Sequence, residues 1–95
     1  SSEEKYVLSH ELGHSVMHPD ANTPFLRANT YLSVDRMENQ ANKFAMGLLI
    51  SDDDITEYAI EQHYTVDMLS KLWGYKRELI KLRLNIAKEN KYKIQ

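Results

Sequence analysis

The chain has 95 residues, no cysteine and a hydrophobic content of 42%, which fits one domain with one modest core and excludes disulfides and thiolate metal ligands. No apolar run approaches the ~20 residues that a membrane-spanning helix needs, and no secretory signal opens the chain, so we expect a cytoplasmic protein without a membrane partner. The net charge of −2 conceals an asymmetry, because residues 1–70 carry four Lys and Arg against twelve Asp and Glu, whereas residues 71–95 carry eight against two.

Local signals predict a mainly helical chain with five helices. Helix 1 is expected from about residue 3, after a cap by one of the two leading serines, to Met17, because the residue before Pro19 avoids helical backbone angles. Residues 19–33 contain both prolines and predict a loop or a short β element. The other helices are expected near residues 34–50, 52–61 after a Ser51 cap, 66–73 between Thr65 and Gly74, and 76–89, with a short tail at 91–95.

The clearest chemical signal is the run His10–His14, which reads His-Glu-Leu-Gly-His. Histidines four residues apart lie one turn apart on the same helix face, so both imidazoles can reach one metal ion. Glu11 leans over the edge of that face, where its carboxylate can take a proton from a metal-bound water. Gly13 is a poor helix former, which predicts that another part of the chain approaches its backbone closely. The alternative is that these are core histidines with ordinary hydrogen-bond partners.

Glu38 is the candidate for a third ligand. A catalytic zinc ion usually has three protein ligands, and in a chain without cysteine the third must be His, Asp or Glu. A helical wheel places Glu38 inside the apolar arc of helix 2, where a carboxylate needs a cation or strong hydrogen bonds. That arc comprises Met37, Ala41, Phe44, Ala45, Leu48 and Leu49. Asn42, one turn later, could orient Glu38 or a histidine; the alternative leaves the Glu38 carboxylate in water at the helix edge.

Other polar residues give weaker signals. His18 lies one turn after His14 and is interpreted as a histidine at the rim of the site or in packing. His63 is expected in a surface loop, and Asp52–Asp54 predicts an acidic helix start rather than a calcium loop. Tyr31 is a candidate for stabilising an oxyanion, although a core aromatic is the favoured interpretation.

Taken together, these residues resemble the ImmA/IrrE-type zinc metallopeptidases of bacteria, phages and mobile elements. The matching stretches are Tyr6–His14, Met17–His18, Glu38–Ala45 and Leu48–Ile50. The resemblance implies that His10, His14 and Glu38 bind one zinc ion, that Glu11 is the general base, and that the substrate is a DNA-binding repressor-type protein. It also implies an α+β zincin-like fold in a single domain over 1–95, with a metal-site core at 1–50 and a helical part at 51–90.

Members of that family usually carry an N-terminal portion with strands that shape the substrate cleft, and this chain has almost nothing before helix 1. We therefore expect the apolar stripe formed by Leu8, Leu12 and Val16 to support homodimerisation or docking onto such a portion. A rival function is a zinc-stabilised binding module whose basic C-terminal helices contact DNA or an acidic partner. The wide Leu/Ile face of the last helix disfavours nucleic acid as a partner. A third alternative is a peptidase fold that serves only as a binding scaffold.

Overall fold

The computed structural model of the protein describes the backbone of residues 1–18 and 31–93 and the side chains of residues 1–18 and 35–90. Within these ranges the chain is mainly helical, as predicted, and contains no strand. The helices are α1 (Ser2–Met17), α2 (Tyr31–Leu49), α3 (Asp52–Asp54, continuing as the π-helix Ile55–Glu61), α4 (Val66–Trp73) and α5 (Arg77–Lys93). Residues 19–30 of the predicted loop or β element lie outside the described residues. Its last residues, 31–33, belong to α2.

Local side-chain caps fix where these helices begin and end. In each of three N-terminal caps a hydroxyl accepts a hydrogen bond from the N–H three residues later, which satisfies an otherwise unpaired donor; the pairs are Ser1 with Glu4, Ser51 with Asp54, and Thr65 with Met68. Gly74 ends α4 with φ of 79°, a left-handed conformation that glycine adopts without steric cost. The predictions for these helix boundaries are therefore confirmed.

Three features of the helices differ from the sequence-based expectation. α2 begins at Tyr31, three residues before the expected start, and no glycine or proline occurs between Tyr31 and Gly47. The last helix continues to Lys93, so most of the predicted tail is helical. The helix after Ser51 covers the expected residues, but its later part is π-helical, as shown by the 3.1 Å hydrogen bond from the N–H of Gln62 to the carbonyl oxygen of Glu57.

α1 packs on α2 through small residues. Ser9 and Gly13 are the buried residues of α1, and Ala41 and Ala45 are fully buried on α2. A Cβ atom on Gly13 would lie 3.2 Å from the Cα and carbonyl oxygen of Ala41 and 3.2 Å from the Phe44 ring. The predicted close approach to the backbone of Gly13 is confirmed, and the approaching group is the backbone of α2.

The apolar core lies around the C-terminal end of α2. It is formed by Met46, Ile50, Ile55, Leu69, Tyr75, Leu79 and Ile80, which come from α2 to α5 and their connections. α2 therefore uses two faces, since Ala41 and Ala45 meet α1 while Met46 belongs to the core. The single arc predicted for this helix was wrong in this respect, because it omitted the fully buried Met46 and included Leu48, which is 58% exposed.

One cation is buried beside this core. Arg83 of α5 is 3% exposed, and its Nε donates a 2.9 Å hydrogen bond to the carbonyl oxygen of Ile50, directly after the end of α2. Its Nη2 lies 2.6 Å from the carboxylate of Asp52 at the start of α3. Although residues 71–95 are basic, Arg83 does not contribute to an exposed surface, because its guanidinium joins α5 to the junction between α2 and α3.

The outer face of α1 is apolar and exposed. Leu8, Leu12 and Val16 are 71%, 47% and 60% exposed in the described part of the chain. The use of this stripe as a docking or dimer surface stays a prediction. Among the described helices, none combines the length and the apolarity required to cross a bilayer.

The contact at Gly13 predicts opposite effects for two Gly→Ala substitutions. Gly47 of α2 has open space around it, so Gly47→Ala should raise the free energy of unfolding by about 1 kcal/mol through helix propensity alone. Gly13→Ala gains the same propensity but presses a methyl group onto backbone atoms, and such overpacking costs about 1–3 kcal/mol. We expect Gly13→Ala to be about 2 kcal/mol less stable than Gly47→Ala in urea unfolding followed by circular dichroism. Equal stabilisation by the two substitutions would contradict the described packing.

Candidate metal centre

The packing of α1 on α2 brings three of the predicted site residues together. Nε2 of His14 lies 2.8 Å from Oε1 of Glu38, and Nε2 of His10 lies 3.0 Å from Oε2 of the same carboxylate. The two Nε2 atoms are 3.1 Å apart, and the imidazole rings meet edge to face. One donor atom from each residue lies within 4.8 Å of the others, so this group could hold a metal ion. Two of these residues come from one turn of α1 and the third comes from α2.

The group is protected on its histidine side and open on its carboxylate side. The side chains of His10 and His14 are 13% and 23% exposed, whereas that of Glu38 is 52% exposed. The expectation that Glu38 points into an apolar interface is therefore wrong: its carboxylate lies at the edge of the α1–α2 contact. It nevertheless meets both imidazoles there, so solvent and a larger ligand could approach from its side.

Asn42 was predicted to orient either Glu38 or a histidine, and in the structure it contacts His10. Its Oδ1 lies 2.7 Å from Nδ1 of His10 and accepts a hydrogen bond from the hydroxyl of Tyr6. Burial, together with the negative charge of Glu38, raises the pKa of Tyr6 above its usual value of 10.0, so this hydroxyl stays protonated and donates. Because an amide oxygen only accepts hydrogen bonds, Nδ1 of His10 carries a proton, and in the neutral ring Nε2 then presents a lone pair.

This arrangement places acceptor against acceptor. In the neutral ring, the lone pair on Nε2 of His10 faces a carboxylate oxygen of Glu38 at 3.0 Å. Two acceptors at this distance repel each other unless a proton or a metal cation lies between them. Two imidazole nitrogens and one carboxylate form a donor set that zinc and similar divalent metals bind. The residues present therefore fit a divalent metal ion.

Glu11 lies between the two histidines on α1 and is exposed. The described residues provide it with no hydrogen bond or ion pair, and it is outside the group that could share a metal ion. Its carboxylate is thus free to meet solvent one residue away from a candidate ligand, as the role of a general base requires. That role itself stays a prediction.

The weaker candidates have separate positions. His18 is not part of the three-residue group, but its Nδ1 lies 3.2 Å from Nδ1 of His14 and its Nε2 lies 2.7 Å from Oε1 of Gln40. No signal in the sequence indicates Gln40, because residues two apart on a helix, such as Glu38 and Gln40, do not share a face. His63 is exposed between α3 and α4, as expected for a surface residue. The side chain of Tyr31 lies outside the described residues.

Comparison with known proteins gives two matches. Residues 1–85 match a peptidase family described as the IrrE N-terminal-like domain. Over 82 residues the chain is 42% identical to the uncharacterized immunity region protein 2 of Bacillus phage phi105. That similarity covers 86% of this chain and 51% of the phage protein, so the chain spans about half the length of this relative. No solved structure matches the chain.

The contact between Asn42 and His10 predicts a loss of metal affinity on substitution. Asn42→Ala removes the acceptor that holds Nδ1–H of His10, and loss of such an orienting partner typically weakens metal binding about 10–100-fold. Asn39→Ala is the matched control, because Asn39 is an exposed asparagine of the same helix. We expect competition with a chromophoric chelator to show this loss for Asn42→Ala alone. Equal affinities of the two variants would show that Asn42 does not orient a ligand.

Proposed function

Because the chain belongs to the IrrE N-terminal-like domain family, a family of peptidases, we propose that it is the zinc-binding domain of a metal-dependent endopeptidase. The observation that supports this most directly is the convergence of His10, His14 and Glu38 from two helices on one point. Three protein ligands leave a coordination position of zinc open for water or substrate, which is the usual arrangement in catalytic sites.

In this proposal, His10, His14 and Glu38 hold the ion, which when bound supplies Lewis acidity toward a carbonyl and lowers the pKa of a water molecule. Glu11 accepts the proton of the attacking water and returns it to the amine that leaves when the peptide bond breaks. Asn42 accepts hydrogen bonds from Tyr6 and from Nδ1 of His10, which keeps Nε2 of His10 directed at the position of the ion. The exposed side of the centre, at Glu38, is where a polypeptide would approach.

For the substrate, we propose a DNA-binding repressor-type protein. The support comes from the name of the phage relative, which places that protein in an immunity region. Cleavage of a repressor is one chemical step that a peptidase from such a region could perform.

A module that binds DNA or an acidic partner through its basic C-terminal helices is the less favoured function. Arg83 is buried, and the guanidinium of Arg77 lies 2.8 Å from the carboxylate of Asp67. Both cations are therefore engaged within the chain. Among the described side chains of α4, α5 and the turn between them, four lysines are exposed. These are Lys71, Lys76, Lys81 and Lys88.

The proposed ligand set predicts one zinc ion per chain. After dialysis against trace zinc, elemental analysis should give a ratio near one for the wild type. Loss of an orienting partner weakens metal binding about 10–100-fold. Glu38→Ala removes a ligand and should therefore weaken zinc binding by a larger factor. Asp35→Ala, which removes an exposed acid from the same helix, is the control and should bind like the wild type. A wild-type protein without stoichiometric metal would refute the proposed function.

The proposed role of Glu11 predicts that metal binding and cleavage separate in Glu11→Gln. This variant should bind zinc like the wild type but lose cleavage about 100–10,000-fold, the usual contribution of a general base. Mass spectrometry of new protein N-termini in expressing bacterial cells should reveal a cut within a repressor-type protein for the wild type only.

Glu3→Gln, which changes an exposed acid near the start of α1, is the control for this experiment. Cleavage that persists in Glu11→Gln would exclude Glu11 as the base. A new N-terminus in a protein of another class would support the proposed peptidase activity but contradict the proposal that the substrate is a repressor.

A further inference from the structure

His18 and Gln40 form a second contact between α1 and α2, beside the three proposed ligands. His18 caps the end of α1, and its backbone N–H donates a 2.8 Å hydrogen bond to the carbonyl oxygen of His14. Its side chain turns back along the helix, so that Nδ1 lies 3.2 Å from Nδ1 of His14. On the other side of the ring, Nε2 lies 2.7 Å from Oε1 of Gln40. The ring of His18 is thus held between a proposed ligand and an amide.

These contacts determine which nitrogen of each ring carries a proton. The amide oxygen of Gln40 only accepts hydrogen bonds, so Nε2 of His18 must donate to it. A neutral imidazole then has its lone pair on Nδ1, and this lone pair can accept only from Nδ1–H of His14. A proton on Nδ1 of His14 leaves its Nε2 free, and this is the atom that faces Glu38 and His10.

We propose that His18 and Gln40 are positioning residues that select the metal-binding tautomer of His14. The inference rests on the proposed function only in that it needs a metal ion at this centre. Histidine ligands usually donate their second N–H to a carboxylate, a backbone carbonyl or a water, which fixes the ring and the tautomer. Asn42 does this directly for His10, whereas a second imidazole, itself fixed by Gln40, does it for His14.

A packing role for His18 makes a different prediction. The ring centroids of His14 and His18 are 5.3 Å apart and tilted by 52°, which a phenyl ring could reproduce. His18→Phe would then leave the centre intact. If the hydrogen bond matters, His18→Phe should weaken zinc binding about 10–100-fold, as the loss of orienting partners does. His18→Asn should restore most of that loss, because its amide oxygen falls near the position of Nδ1.

The experiment measures zinc affinity of the full chain by chelator competition, and separately the 1H–15N signal of the His14 Nδ1–H in the zinc-loaded protein. The wild type should show this proton protected from exchange with water. His18→Phe should lose the signal through rapid exchange, and His18→Asn should recover it. Neither readout requires peptidase activity, so a failure of the proposed cleavage reaction would not affect the result.

Gln40 provides a second test that leaves His18 in place. Gln40→Leu removes the acceptor of Nε2–H and should weaken zinc binding, while Gln40→Glu keeps an acceptor and should rescue it. Unchanged affinity and an unchanged Nδ1–H signal in both His18→Phe and Gln40→Leu would overturn the inference while leaving the metal site in place. A wild type that binds no zinc would overturn the metal site and the inference together.

Discussion

The contact between Gly13 and the backbone of Ala41 sets the separation of α1 and α2, and the geometry of the proposed metal centre depends on that separation. The histidines come from one helix and the carboxylate from the other, so their donor atoms meet at about hydrogen-bond distance only if the two backbones nearly touch. Small residues at Ser9, Gly13, Ala41 and Ala45 allow this approach.

The parts of this structure that short-range chemistry determines were predicted from the sequence. The serine and threonine caps and Gly74 act within a few residues, so the helix boundaries they set agree with the expectation. The spacing of His10 and His14 is also a local property, because one turn of helix aligns them. Glu38 was found by a less direct argument, from a carboxylate at a position where apolar residues surround it on a helical wheel. The structure brings it to the histidines, although at the edge of the helix contact.

What the sequence did not indicate depends on contacts between distant elements. α2 packs on α1 and on the core with different faces, and a single wheel cannot separate two partners that lie on neighbouring sides of a helix. The burial of Arg83 depends on the end of α2, about thirty residues earlier. Likewise, Gln40 matters only because the end of α1 places His18 within its reach. The spacing of residues in the sequence does not predict the π-helical part of α3.

The position of Arg83 has a consequence for the length of chain that this centre requires. Its guanidinium binds the carbonyl oxygen of Ile50 at the end of the helix that carries Glu38, and it is held in place by α5. A shortened chain that ended before residue 83 would keep every residue of the proposed metal centre, but Ile50 and Asp52 would lose their shared partner. The core would also lose Leu84 and Ala87, which pack against it from α5. The smallest unit able to form this centre therefore extends well beyond the residues that touch it.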